Sequence, residues 1–305
     1  MQTKAMGPGA GWRWLAAAVN LGRNNPKALF GAAALMMGVA LLPSLLQVAA
    51  IEIAGPENVQ LSMAVALIAT LALMLVFPLL LAGFLRVVHA VESGQPTRAT
   101  ALFDAFRAGH GRGRVIGIGM LLLAVYLLLV ALVLGLAGRE VAAWYVEVWS
   151  MAQAATPGAA PTLPQMPDGI GRVMALMVLV AMVVGGMYSI GFGQVALNGR
   201  GVGAAFGDAV AGTLKNVLPL LVLALLGLVG MVVAAVVIAL VVLFLVMLGG
   251  LVSPALGAIL AIPVYAAFLV MLYVVMFGVM YFIWRDVCGG AVATTPVADH
   301  AGFEA

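Results

Sequence analysis

NVLPLLVLALLGLVGMVVAAVVIALVVLFLVML, residues 216–248, contains no Asp, Glu, Lys or Arg. As an α-helix it would reach roughly 50 Å, against a bilayer hydrocarbon core of roughly 30 Å. It therefore reads as a membrane span that tilts, protrudes or breaks, with Pro219 placing its first turns at the interface. Gly249-Gly250 and Ser253-Pro254 mark a turn after it, and a second apolar run follows over 255–284. Outward from this pair, four more runs stand at 28–50, 61–88, 115–137 and 173–197. The expected fold class is an all-α integral membrane protein of about six transmembrane helices.

Composition agrees. The 305-residue chain is 65% hydrophobic and 8% charged, and its mean hydropathy is +1.20. The single cysteine, Cys288, excludes an internal disulfide and a Cys-based metal site. No cleavable signal is expected, because the first apolar run starts near Ala28 and is long enough to span.

Basic residues set the expected orientation. With the N-terminus in the cytoplasm, the cytoplasmic segments hold Lys4, Arg13, Arg23, Lys27, Arg86, Arg98, Arg107, Arg112, Arg114, Arg200, Lys215 and Arg285. The opposite side holds only Arg139 and Arg172. That asymmetry places both termini in the cytoplasm. Arginine outnumbers lysine, with abundant Ala, Gly and Val, which is a bias of GC-rich bacterial genomes; the expected location is a bacterial inner membrane.

Short amphipathic segments precede alternate spans. Around 12–24, Trp12, Leu15, Ala16 and Val19 share a face. Within 97–108, Ala99, Leu102, Phe103 and Phe106 do so. Over 202–215, Val202, Phe206, Val210 and Leu214 recur at fours. Each is expected to be an interfacial helix. The chain thus reads as a possible threefold repeat of interfacial helix, span, span. FDAFRAG (103–109) against FGDAVAG (206–212) supports it, and RNNP (23–26) against KNVLP (215–219) adds a weaker echo. The external loop, 138–171, opens with Trp144, Tyr145 and Trp149, suited to a headgroup layer, and continues into a proline-rich linker at 155–169. Residues 289–305 read as a disordered cytoplasmic tail, leaving 1–288 as one polytopic domain.

No ionisable residue sits deep in a span, which counts against proton-coupled transport and intramembrane proteolysis. Gly185, Ser189 and Gly193 form a small-residue row expected to pack against a neighbouring helix. Arg86, His89 and Glu92 mark a boundary where Arg86 snorkels. Asp104, Asp208 and Asp286 are expected to pair with Arg107, Lys215 and Arg285. The abundant methionines read as adaptable apolar filling. The sequence predicts no catalytic, cofactor or metal residues and no nucleic-acid partner. The expected partners are membrane lipids, with Arg98, Arg107, Arg112 and Arg114 as candidate headgroup contacts.

GWRWLAAAVNLGRNNPKALF (11–30), GFLRVVHAVESGQP (83–96), TLKNVLPLL (213–221) and YFIWRDV (281–287) carry a family likeness. The chain resembles an uncharacterised family of multi-pass bacterial inner-membrane proteins that open G-W-x-W, pass through N-P before the first span and close Y-x-x-x-R-D. The matching residues are Gly11, Trp12, Trp14, Asn25, Pro26, Tyr281, Arg285 and Asp286. A proline expected in the family's third cytoplasmic helix is replaced within GRGVGAAF (199–206). More distantly, the layout is similar to the membrane domain of some glycerophosphoryl diester phosphodiesterases, without their catalytic domain. The resemblance implies an all-helical membrane protein and supplies no activity. The functional expectation is a non-enzymatic structural, accessory or envelope-associated role. The alternative is a transporter or lipid-handling protein that uses a cleft between repeats.

Overall fold

A computed structural model describes residues 3–55, 58–107, 109, 111–154 and 164–289. Nine α-helices lie among the described residues: α1 Ala10–Asn20, α2 Pro26–Ala54, α3 Val59–Glu92, α4 Arg112–Ala137, α5 Arg139–Ala154, α6 Ile170–Ala196, α7 Val202–Lys215, α8 Val217–Gly250 and α9 Pro254–Cys288. Six of them (α2, α3, α4, α6, α8 and α9) are long and apolar enough to cross a membrane. The protein is an all-α polytopic membrane protein. The apolar run at 216–248 does not break; α8 continues unbroken for 34 residues.

Helix starts follow local chemistry. Asn25 Oδ1 accepts from the Ala28 N–H at 3.2 Å, with Pro26 in the first turn of α2. Asn58 Oδ1 accepts from the Leu61 N–H at the start of α3. Ser253 Oγ accepts from the Leu256 N–H ahead of α9. Each device satisfies a donor that the helix itself leaves open.

The spans are arranged as three units that repeat around a ring. Each unit holds a hairpin: α2 with α3, α4 with α6, α8 with α9. The second helices α3, α6 and α9 all touch one another and form the centre. Each first helix also touches the second helix of the preceding unit: α4 on α3, α8 on α6, α2 on α9. The short segment ahead of each hairpin packs across the preceding hairpin. The segment 99–106 lies on α2 and α3, α7 lies on α4 and α6, and α1 lies on α8 and α9. Every class of contact occurs three times, and the last closes the first unit onto the third.

Glycines permit the close approaches. A Cβ at Gly31 of α2 would lie 2.7 Å from the Ala99 Cβ, and one at Gly117 of α4 would lie 3.1 Å from Val202. At the ring closure the glycine sits on the other partner: a Cβ at Gly11 of α1 would lie 3.2 Å from the Val222 Cβ of α8. Removing the side chain brings backbones together, which is how membrane helices gain packing where lipid offers no hydrophobic drive.

The core occupies one end only. Buried residues of α2 run from Ala28 to Met36, and those of α4 from Val115 to Leu122. In α3 burial is almost continuous from Pro78 to Val88, and in α6 it concentrates between Val184 and Ala196. These stretches all lie at the end that carries α1, α7 and the 99–106 segment. Towards the opposite end most apolar side chains of the spans are exposed, although α8 and α9 still meet closely where Gly249 faces Gly257; α8 buries only Pro219, Leu220 and Gly249.

The structure shows which side of each short segment turns to the protein. In α1 the buried residues are Ala10, Gly11, Trp14 and Ala18, while Trp12 and Val19 are exposed. In α7 the buried residues are Ala205, Ala209, Gly212 and Thr213, while Leu214 is exposed. The segment expected as an α-helix at 97–108 is a 3₁₀-helix, Ala99–Phe106. Its tighter period brings Leu102 and Ala105 inward and leaves Phe103 exposed. The small residues of each segment face the protein because they allow contact with glycine surfaces. A bulky apolar residue loses nothing by facing lipid. The loop 138–171 begins with α5, whose Trp144 indole N–H donates to the Pro164 carbonyl at 3.2 Å. Residues 155–163 of the expected linker, and the tail from 290, lie outside the described residues.

Candidate functional site

Polar side chains gather where the three central helices end. Arg86 Nε donates to the Ala196 carbonyl at 3.1 Å, joining α3 to the last turn of α6. His89 Nδ1 lies 3.2 Å from the Tyr281 hydroxyl of α9. Glu92 pairs with Arg285 at 3.4 Å. The trio expected to mark a boundary thus ties three spans together instead of snorkelling.

The interfacial segments join this belt through repeated polar contacts. Asp208 of α7 accepts from Gln194 Nε2 of α6 at 2.6 Å and pairs with Arg200 at 2.8 Å. The expected partner Lys215 instead donates to Thr3 Oγ1 and the Thr3 carbonyl. Asp104 pairs with Arg107 at 3.3 Å and Asp286 with Arg285 at 3.2 Å, as the sequence suggested. At the ring closure Trp14 Nε1 of α1 donates to Asp286 Oδ2 at 2.9 Å. The three aspartates serve separate contacts. Among the described residues no cluster of three or more metal-ligating side chains forms.

The four candidate headgroup arginines, Arg98, Arg107, Arg112 and Arg114, are exposed and flank the 3₁₀-helix and the start of α4. They do not converge on one site. Arg107 is engaged with Asp104, and Arg114 Nη1 donates to the Gly199 carbonyl.

The concave feature lies elsewhere. A cleft of about 670 Å³ opens between α6 of the second unit and α8 of the third, with α3 and α9 behind it. Val178, Met182, Leu228 and Met231 line its upper part; Leu220, Met280 and Ile283 line its lower end. Gly185 and Gly227 both line it, and a Cβ at either would meet nothing within 4 Å. Among the described residues no charged side chain lines it, and its polar residues are Tyr188 and Ser189. The Ser189 hydroxyl is already used, donating to the Gly185 carbonyl at 2.7 Å. A smaller cleft of about 220 Å³ lies at the equivalent boundary between α3 and α4. Phe77 and Tyr188 line both, so two aromatic rings stand between them.

This geometry corrects the reading of the small-residue row. Gly193 does pack, with Trp284 filling the place of its side chain. Gly185 does not pack; it leaves room. Gly227 and the α8 wall were missed by sequence reasoning. A glycine facing space has the same sequence signature as one facing a helix. Comparison with protein-family models, with curated proteins and with solved structures gives no match.

Proposed function

We propose that the protein handles membrane lipid without catalysing a reaction, holding one apolar chain in the cleft between its second and third units. The carrying observation is that cleft. It is apolar, uncharged and walled by glycines with open space in front of them. Such a slot suits a hydrocarbon chain and repels a hydrated solute, because no wall group would replace the lost water. The arginine-rich end faces the cytoplasm of a bacterium in this reading, supported by the distribution of basic residues. Both termini are then cytoplasmic.

The resemblance to the uncharacterised inner-membrane family is part of the proposal. In its favour, the opening G-W-x-W and closing Y-x-x-x-R-D segments meet, through Trp14 and Asp286. A purely structural or accessory envelope role is the second reading, favoured by the continuous polar and aromatic packing that seals the centre at the arginine-rich end.

Native mass spectrometry of the purified chain tests the choice. The wild type is expected to retain a lipid that Gly185→Leu with Gly227→Leu loses, while both unfold at similar temperatures. Equal retention by the filled variant would leave the structural role standing and remove the lipid-handling one.

A further inference from the structure

The cleft lies where the other two units place a side chain. The crossings of the short segments set a common register for the first helices: Gly31 of α2 meets Ala99, Gly117 of α4 meets Val202, and Val222 of α8 meets Gly11. Two residues before these positions come Leu29, Val115 and Leu220, all buried. Five residues after them come Met36, Leu122 and Gly227. Met36 and Leu122 are both 0% exposed. Leu122 turns inward against the central helix α6, where a Cβ at Gly191 would lie 3.3 Å from its Cδ1. Gly227 brings no side chain to the corresponding place in the third unit, and a Cβ there would meet nothing within 4 Å. The space it leaves belongs to the cleft of about 670 Å³, which Gly227 lines.

Resting on the lipid-handling reading, we propose that an acyl chain of a bilayer lipid takes the structural place of Met36 and Leu122 in the third unit, so that bound lipid completes the fold at Gly227. The sibling units identify the chemistry of the occupant. Each fills the equivalent position with an uncharged, apolar side chain. The neighbours that share the cleft with Gly227 are apolar as well: Ala224, Leu228 and Met231 on α8, Met276 and Met280 on α9. Water is a poor substitute, because a buried water needs two to four polar partners. Of the two polar lining residues, Ser189 already donates to Gly185. The bilayer supplies the chain directly, since Leu228 and Met231 are about half exposed on the lipid side of α8. An unfilled cleft forfeits the dispersion contacts that Leu122 makes in the second unit, and a bound chain restores them. Stability then rises with occupancy.

The experiment exchanges lipid for side chain. The full-length protein is stripped of lipid in detergent and titrated with dioleoyl phosphatidylglycerol, with thermal unfolding and native mass spectrometry at each step. The wild type is expected to melt roughly 5 °C higher once lipid stands about a hundredfold above its Kd. Gly227→Leu supplies the missing side chain. It should melt above the lipid-free wild type, retain no lipid in the cleft and gain nothing from added lipid. Gly227→Ala fills less and should fall between the two. Gly230→Leu controls for helix propensity, because Gly230 is exposed on the same helix, has nothing within 4 Å and does not line the cleft. Its response to lipid should match the wild type. A full lipid response in Gly227→Leu, an equal loss of response in Gly230→Leu, or lipid retained by the wild type without a rise in melting temperature would overturn this inference alone. No retained lipid in the wild type would overturn the lipid-handling reading and this inference with it.

Discussion

Trp14 Nε1 donates to Asp286 Oδ2 at 2.9 Å, across 272 positions of sequence. The bond joins the first interfacial helix to the end of the last span and closes the ring of three units. Trp14 is 1% exposed, so the indole N–H has no water to fall back on. Trp14→Phe removes the donor and keeps most of the ring. It should destabilise the fold by about 1–3 kcal/mol, the range of one hydrogen bond to a charged acceptor. Asp286→Asn, which can still accept, should cost less. Unfolding in mild detergent, followed by near-ultraviolet circular dichroism, measures both.

Gly83 and Gly207 are chemically identical and structurally opposite. A Cβ at Gly83 would land on the Leu102 carbonyl, where the 3₁₀-helix crosses α3. Gly83→Ala should therefore lower stability by about 1–3 kcal/mol through overpacking. Gly207, exposed in α7, has nothing within 4 Å. Gly207→Ala should raise stability by up to about 1 kcal/mol, because alanine loses less backbone entropy in a helix. Thermal denaturation of the two variants side by side should move in opposite directions.

Asn216 clasps the chain start. Its Oδ1 accepts from the Met6 N–H at 2.7 Å, and its Nδ2 donates to the Lys4 and Gly212 carbonyls. The side chain is 1% exposed. Asn216→Ala should release residues 3–6 and cost about 1–3 kcal/mol. Hydrogen exchange at Met6 should accelerate at least tenfold while exchange in α3 stays slow.

The repeated ring predicts three equivalent cross-links. Cysteine pairs at 31/99, 117/202 and 11/222, in a Cys288→Ser background, should each be joined by a short bis-methanethiosulfonate reagent. All three should form at comparable yield, since each places an interfacial segment on the preceding unit's first helix. Efficient reaction at 31/99 and 117/202 with none at 11/222 would mean that the ring stays open.

Topology is open to direct measurement. Reporter fusions at 251–253 and within α5 should read as external, and fusions at 93–98 and 199–201 as cytoplasmic. A cytoplasmic signal from α5 would reverse the assignment that twelve basic residues against two support.

Particular residues show how far the sequence could be read. The spans were legible because a bilayer demands length and apolarity, and 216–248 satisfies both without local context. The short segments ahead of alternate spans were legible as elements, while the choice of which side meets the protein was open. A face that groups Trp12 with Val19, or Phe206 with Leu214, suits lipid and the helix bundle equally, so apolarity alone does not choose between them. Here the surroundings are apolar too, so Ala18, Ala209 and Gly212 turn inward for reasons of fit. The segment at 99–106 added a change of period, from 3.6 residues to three, which moved Phe103 out and Ala105 in.

The sequence by itself determined that this chain lives in a membrane, with six long apolar helices and short segments ahead of alternate spans. Those properties follow from runs of residue type and need only the bilayer as context. The tertiary structure decided which glycines touch a neighbour and which face space, and which polar groups meet. Gly83 and Gly185 differ only in what stands opposite them. Contacts between residues far apart in the chain depend on how three similar units close on one another, and no local pattern encodes that closure.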